Sequence, residues 1–318
     1  MLKKYFLRCY LHFKFYFRNR ISDSNNEDFI SEPGRIGTNY RFSRLPYLFL
    51  ANDELVIVYY AYTIDKGWQI GVQDEFGHAK ILADDMECMG PSGIIVGDEI
   101  LLVCHAGKMP NRKLKLISYN YKTSVHKHTV INTRIGQGDI NYPCLLKGSV
   151  GFTLFFSVKN GKHFSNYMVT TTNLENWSKP ERLDFIGDLG RRMNCILSND
   201  GTFHMTWEEE EQIKYASSNN GKDWGDTYIV DPYGNRPKVA LVENRLVISY
   251  EQHDKMHSIR IAVFEKEKWK SRILVAGKEY VTRPSNTITR KGKSLVAWSK
   301  ITALKEEIYH IELDLLPE

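Results

Sequence analysis

One layout recurs six times along this chain at a spacing of about 47 residues: a short β-run, a turn, and a second β-run ending in polar residues. The copies are RLPYLFLANDELVIVYYAY, GPSGIIVGDEILLVCH, YPCLLKGSVGFTLFFS, RMNCILSNDGTFHMTWEE, RPKVALVENRLVISYEQH and RPSNTITRKGKSLVAWSK. Five carry proline at a common point (Pro46, Pro91, Pro143, Pro237 and Pro284), and the fourth has Met193 there. A unit this short cannot bury its own hydrophobic face, so neighbouring copies must stack to make a core. Each copy is followed by a third β-run and usually a fourth, as in HFSNYMVTT and then ERLDFI. Four short strands per repeat of this length describe the blades of a β-propeller.

The expectation is therefore an all-β, six-bladed β-propeller of four-stranded antiparallel blades. The proline is expected to open the innermost strand, where its missing N–H need not join a ladder. The last copy has EEIYHIELDLL as its third strand, and its fourth has to come from elsewhere. Residues 28–38 are expected to supply it, closing the ring and removing an edge that would invite aggregation.

Charge divides the chain into two parts, residues 1–20 and the propeller of residues 21–318. The first twenty residues hold six Lys or Arg and no acid, which leaves 37 basic against 38 acidic side chains, a net of −1, in the rest. So neutral a body argues against nucleic-acid binding by charge. Arg8, His12, Lys14, Arg18 and Arg20 interrupt every apolar run of the basic segment, so it is not read as a cleavable signal peptide. Interleaved aromatic and basic residues suit a helix lying in a membrane interface. A disordered basic tail or a strand packed on the body fits the same residues, and these readings stay open.

Five cysteines (Cys9, Cys88, Cys104, Cys144 and Cys195), odd in number and without C-x-x-C spacing, argue against both a disulfide framework and a zinc site. The expected location is cytoplasmic, with membrane association through residues 1–20. No cluster has zinc or calcium ligand spacing, so neither metal nor cofactor is expected.

The stretch SSNNGKDW, residues 217–224, falls between the third and fourth strands of the fourth unit. It resembles the Asp-box of sialidases, S-x-D-x-G-x-x-W, with Asn219 in place of the aspartate. Short polar side chains there bond turn N–H groups, the glycine permits positive φ, and the indole packs between blades. TTNLENW in the third unit resembles a shortened form, the S-x-D-L-x-x-W turn of five-bladed glycosidases. The turn lies on the face opposite the usual site, so it speaks for fold rather than function.

Chemistry is expected where first strands start and second strands end, because antiparallel pairing brings both to one mouth of the ring. Strand starts contribute Arg44, Glu87, Asn141, Arg192, Arg236 and Arg283; second-strand ends contribute Asp65, His105, Lys159, Glu208, Glu209, Glu251, His253 and Lys300. Arginine at four of six starts suits bidentate capture of a carboxylate or phosphate. The plain alternative is ion pairing within the funnel, as Arg236 with Glu251. Acid–base glycoside chemistry needs two carboxyl groups about one bond, and Asp65, Glu87, Glu208 and Glu251 are the candidates. Asp65, in a loop after a second strand, suits a mobile general acid or a hairpin turn equally.

YRFSRLPYLFLANDELVIVYYAY is similar to the first-blade motif of sialidases, F-R-I-P followed by two strands. That resemblance implies that Arg44 is the first arginine of a carboxylate-binding triad. It also implies that Asp65 lies in the loop of the catalytic aspartate and Tyr280 near the nucleophilic tyrosine. Asn194 and Glu208 stand where the family has an acid and an arginine. The expected catalytic set is thus Asp65, Glu251 and Tyr280. The expected binding set is Arg44, Glu87, His105, Asn141, Arg192, Glu208, Arg236, His253 and Arg283, taking an acidic glycan or sugar phosphate.

Three functions remain in view: glycosidase-type chemistry on an acidic glycan, a membrane-peripheral enzyme that builds or modifies surface polysaccharide by sugar transfer, and a propeller that only binds glycan or protein.

Overall fold

The computed structural model describes residues 34–36, 43–51, 54–63, 65–73, 79–82, 86–135, 138–253, 256–288, 293–301 and 306–313. Residues 31–318 form one compact unit. The expected basic segment, residues 1–20, lies outside the described residues.

Every regular element among the described residues is a β-strand. A short strand, β1 (Gly34–Ile36), precedes the first blade: β2 (Ser43–Ala51), β3 (Glu54–Thr63), β4 (Gly67–Gln73) and β5 (Ala79–Leu82). The second blade is β6 (Cys88–Val96), β7 (Glu99–Ala106), β8 (Lys113–Asn120) and β9 (His126–Ile131). The third is β10 (Asp139–Lys147), β11 (Phe152–Asn160), β12 (His163–Thr171) and β13 (Glu181–Arg182). The fourth is β14 (Arg191–Leu197), β15 (Phe203–Glu209), β16 (Gln212–Ser218) and β17 (Tyr228–Asp231). The fifth is β18 (Asn235–Val242), β19 (Arg245–His253), β20 (His257–Glu265) and β21 (Lys268–Gly277). The sixth has β22 (Tyr280–Ile288), β23 (Ser294–Ile301) and β24 (Glu306–Leu313) from the C-terminal end of the chain. Its fourth strand is β1, which pairs antiparallel with β24 through Gly34↔His310, Arg35↔Tyr309 and Ile36↔Ile308. The expected closure from residues 28–38 is therefore present, and the fold is a six-bladed β-propeller.

Six hydrophobic cores fill the six gaps between blades. Val58, Ile70 and Leu82 of the first blade meet Ile100, Leu102 and Cys104 of the second, and the pattern repeats around the ring to Ile57 and Tyr59 against Leu295 and Ala297. A blade squeezed from both sides has no wet face in its inner strands. That is why β7 (EILLVCHA) is buried at every residue after Glu99 and reads as a continuous apolar run. The outermost strands see solvent and alternate, as β9 does. Each fully buried Leu, Ile or Val contributes roughly 1.5–3 kcal/mol.

The two tryptophan turns are equal in length, so the third-blade turn is not a shortened one. Ser218 Oγ accepts Gly221 N–H at 2.9 Å, and Asn220 Oδ1 accepts the N–H groups of Lys222 and Asp223, both at 2.8 Å. In the third blade Thr171 and Asn173 take the corresponding places, with Asn173 Oδ1 accepting Glu175 and Asn176 N–H, both at 3.0 Å. The bonding side chains of the fourth blade are Ser218 and Asn220, one residue later than the motif alignment through Ser217 and Asn219 suggests. Gly221 has φ +75°, and Leu174 occupies the same left-handed position at +63°. Trp224 stacks on Phe185 at 4.7 Å and joins the core between the third and fourth blades. Trp177 does the same between the second and third.

Candidate functional site

All six first strands carry a β-bulge at one place. The register of each first-strand pair slips by one residue between Arg44 and Tyr47, Met89 and Ser92, Asn141 and Cys144, Arg191 and Asn194, Asn235 and Lys238, and Thr282 and Ser285. The repeated proline sits inside this bulge and not at the strand opening; the bulge leaves a residue out of the ladder, so the missing N–H is tolerated there. The residue before it turns left-handed: Gly90 (φ +60°), Tyr142 (+50°), Arg192 (+56°), Arg236 (+50°) and Arg283 (+57°). For a side-chain-bearing residue that conformation costs about 1–2 kcal/mol. The fourth, fifth and sixth blades thus place an arginine on the same strained spot at the mouth of the ring. Arg44 sits one residue earlier in its bulge, level with Arg191 and not with Arg192.

Two glutamates bolt these bulges together. Glu208 and Glu251 occupy equivalent places on β15 and β19, opposite Arg191 and Asn235. They are 0% and 1% exposed, so each must be paired. Glu208 accepts Arg191 Nε at 2.8 Å, the Arg192 guanidinium, and the backbone N–H of Arg236 at 3.2 Å. Glu251 repeats the scheme with the Arg236 guanidinium, the Thr282 hydroxyl, and the backbone N–H of Arg283 at 2.9 Å. Burial works against the Glu251 charge, but Arg236, His253 and Thr282 override it and hold the carboxyl below its ordinary range. Arg236 also donates to Thr282 Oγ1 at 2.9 Å. Burial opposes its charge as well, and Glu251, Tyr280 and Glu208 hold it above its ordinary value. The ion pair expected between Arg236 and Glu251 is thus present.

Next to Glu251, His253 Nε2 lies 3.1 Å from Oε1, and the His253 ring stacks on Tyr280 with centroids 5.1 Å apart. The structure thus brings Arg236, Glu251, His253, Tyr280 and Arg283 together, with Arg192 and Glu208 in the adjoining blade.

The other half of the mouth is built differently. In the second blade glycine replaces the bulge arginine, and the His105 ring covers it: a Cβ on Gly90 would lie 2.6 Å from His105 Cε1. Burial first, and then the Arg112 cation, push the His105 pKa down to about 3, so the ring is neutral. Asn141 donates to the Asp139 backbone carbonyl at 2.7 Å, and Asp139 forms a two-point ion pair with Arg112, 2.9 Å at each contact. Arg112 and Asp139 escaped the sequence reading, because Arg112 lies in a hairpin loop and reaches across to the next blade. Asp65 is exposed in the turn between β3 and β4. The Glu87 side chain packs over Gly67, which opens β4 directly after that turn.

The floor of the mouth is a second ring the sequence reading missed. The first residue after each bulge is Tyr47, Ser92, Cys144, Asn194, Lys238 or Ser285. Ser92 Oγ accepts Leu145 N–H at 3.3 Å, Cys144 Sγ accepts Cys195 N–H at 3.3 Å, and Asn194 Oδ1 accepts Val239 N–H at 2.8 Å. Each side chain thus holds the innermost strand of the next blade. Lys238 Nζ lies 5.4 Å from the centre of the Tyr47 ring. Those residues belong to the fifth and first blades, so the contact reaches past the sixth. Cys144 is therefore a hydrogen-bonding member of this ring and more than a small hydrophobe. The four described cysteines are buried free thiols; Cys9 lies outside the described residues. Among the described residues no group of three or more His, Cys, Asp and Glu side chains is arranged to hold a metal ion.

The fold has counterparts among solved structures. Trypanosoma rangeli sialidase in complex with the inhibitor DANA superposes with a TM-score of 0.63 at 9% identity, over 86% of this chain and 55% of that one. Phage phi92 endosialidase gives 0.68 at 8% identity, over 90% of this chain and 70% of that one. The chain has the sialidase propeller fold. A thermostable family-43 glycoside hydrolase shares it more loosely, with a TM-score of 0.53 at 14% identity over 73% of this chain and 91% of that one. The chain spans about 55% of the trypanosomal sialidase, and at such identities the likeness is one of fold. No protein-family model matches the sequence. No curated protein matches it either.

Proposed function

We propose that this propeller binds an acidic sugar at the mouth of its ring and cleaves its glycosidic bond. The observation that carries the reading is the placing of Arg192, Arg236 and Arg283 on one strained bulge in three consecutive blades. Strain of this kind persists only where the surroundings impose it, and it clusters at ligand clamps. Arg191, Arg192 and Arg236 share two buried carboxylates. Lys238 lies below them, and burial disfavours its charge. A carboxylate or phosphate completes such a site. The sialic acid and inhibitor complexes of the trypanosomal sialidase are consistent with a ligand of this class.

In this reading the arginines orient the sugar by its anionic group. Asp65, exposed on the opposite rim, protonates the leaving oxygen as the glycosidic bond breaks, Tyr280 faces the oxocarbenium-like carbon, and water then bonds to that carbon and returns a proton to Asp65. Glu251, engaged on both oxygens, orients Arg236 and His253 and lends negative potential without giving up a proton. A binding-only role is the second reading, favoured by the ion pairing of both buried mouth glutamates. Hydrolysis of a chromogenic sialoside separates the two. Asp65→Asn is expected to abolish turnover while leaving sialic acid binding within about twofold; a wild type that binds and never turns over supports the binding role. Residues 1–20 we assign to a membrane surface, and their deletion is expected to move a membrane-bound pool of the protein into the soluble fraction.

A further inference from the structure

Two histidines and a tyrosine meet where the fifth and sixth blades join, and one of the three has no part in the reading above. His253 ends β19, His257 opens β20 directly across the hairpin, and Tyr280 opens β22. His257 meets the Tyr280 ring edge-on, with centroids 4.5 Å apart at 70°. Its Nδ1 lies 3.0 Å from His253 Nδ1, while His253 Nε2 faces Glu251 Oε1 at 3.1 Å and the Tyr280 hydroxyl at 3.5 Å.

Counting protons along this chain leaves few arrangements. Glu251 is ionised and can only accept, so His253 must carry its proton on Nε2. Two imidazole nitrogens at 3.0 Å share one proton between them: with two they repel, and with none there is no bond. The pair is then either neutral, with His257 Nδ1–H donating to a bare His253 Nδ1, or singly charged, with the proton on His253. His253 keeps Nε2–H in both. Glu251 acts on both rings and is itself paired with Arg236; Asp254 and Lys255 of the intervening turn lie outside the described residues. Burial first, and then the neighbouring His253, disfavour charge on His257 itself.

We propose that His257 is the positioning residue of this site: through a shared Nδ1 proton it holds the His253 ring so that Nε2–H stays on Glu251 and Tyr280, whether the pair carries one charge or none. The roles of Tyr280 and Glu251 rest on the function proposed above; the arrangement of protons does not.

The test is long-range 1H–15N spectroscopy of the histidine rings between pH 5 and 8, with no ligand added. In the wild type a single ring of the two is expected to become charged, and His253 Nε2 is expected to stay protonated throughout. His257→Ala is expected to admit the Nδ1–H tautomer of His253. His257→Gln, whose amide can donate or accept at that reach, is expected to restore the wild-type tautomer. Both rings charging independently in the wild type, or a His253 signal unaltered in a folded His257→Ala protein, overturns the proposal. A wild type with the expected ring signals that fails to bind sialic acid sinks the acidic-sugar reading and leaves the positioning role standing.

Discussion

The carboxylate of Glu251 accepts the backbone N–H of Arg283 at 2.9 Å, tying a second strand of the fifth blade to the strained bulge of the sixth. Glu208 makes the same bond to Arg236 one blade earlier. Arg236 and Arg283 are therefore held through their backbones by the carboxylates that pair with the arginine of the preceding bulge, and side-chain position and blade packing are one problem.

Removing either carboxylate is expected to be felt as lost stability. Glu251→Ala leaves the Arg236 guanidinium facing a vacated buried site, and breaking a buried pair from one side costs about 3–5 kcal/mol. Denaturant unfolding of Glu208→Ala and Glu251→Ala should each show a loss in that range. A loss under about 1 kcal/mol would mean the latches carry no load.

Gly90→Ala tests the bulge in the second blade. The new Cβ meets His105 at 2.6 Å, at a backbone angle of +60° that alanine disfavours. The expected loss is more than about 1 kcal/mol, with a displaced His105 ring signal. A thermal midpoint equal to that of the wild type would contradict the close approach of ring and bulge.

Acid should weaken the fold through His105. Its folded pKa, about 3, lies below the ordinary 6.5, so between those values the unfolded chain holds a proton the native state lacks. Stability therefore falls as pH drops through that window, by at most about 1.4 kcal/mol per unit. Glu251 acts in the same sense. Held below its ordinary range, it contributes fully above that range and loses its contribution as the pH falls further. His105→Gln is expected to flatten the stability profile between pH 6 and 4; an unchanged slope would remove His105 from the account.

The repeat and its proline made the blades, their number and the ring closure legible in the sequence, because strand pairs separated by short turns are local patterns. The proline was read as a strand opening, whereas a bulge reveals itself only when the register of two strands is compared. Arg236 with Glu251 could be paired from the sequence, since both lie at ends of one hairpin. Arg112 with Asp139, Lys238 with Tyr47, and the backbone grip of Glu251 on Arg283 all cross between blades, and no spacing along the chain encodes them. His257 was missed because it begins a third strand, where a histidine carries no signal until its cross-hairpin neighbour is known.

The most direct measurement is calorimetric binding of sialic acid and of its uncharged methyl ester to the wild type, Arg236→Ala and Arg283→Ala. The account predicts that the acid binds the wild type, that the ester binds at least tenfold more weakly, and that each substitution in a folded protein costs about ten- to hundredfold, the worth of a charge-assisted contact. Equal binding of acid and ester, or affinity untouched by both substitutions, would contradict it.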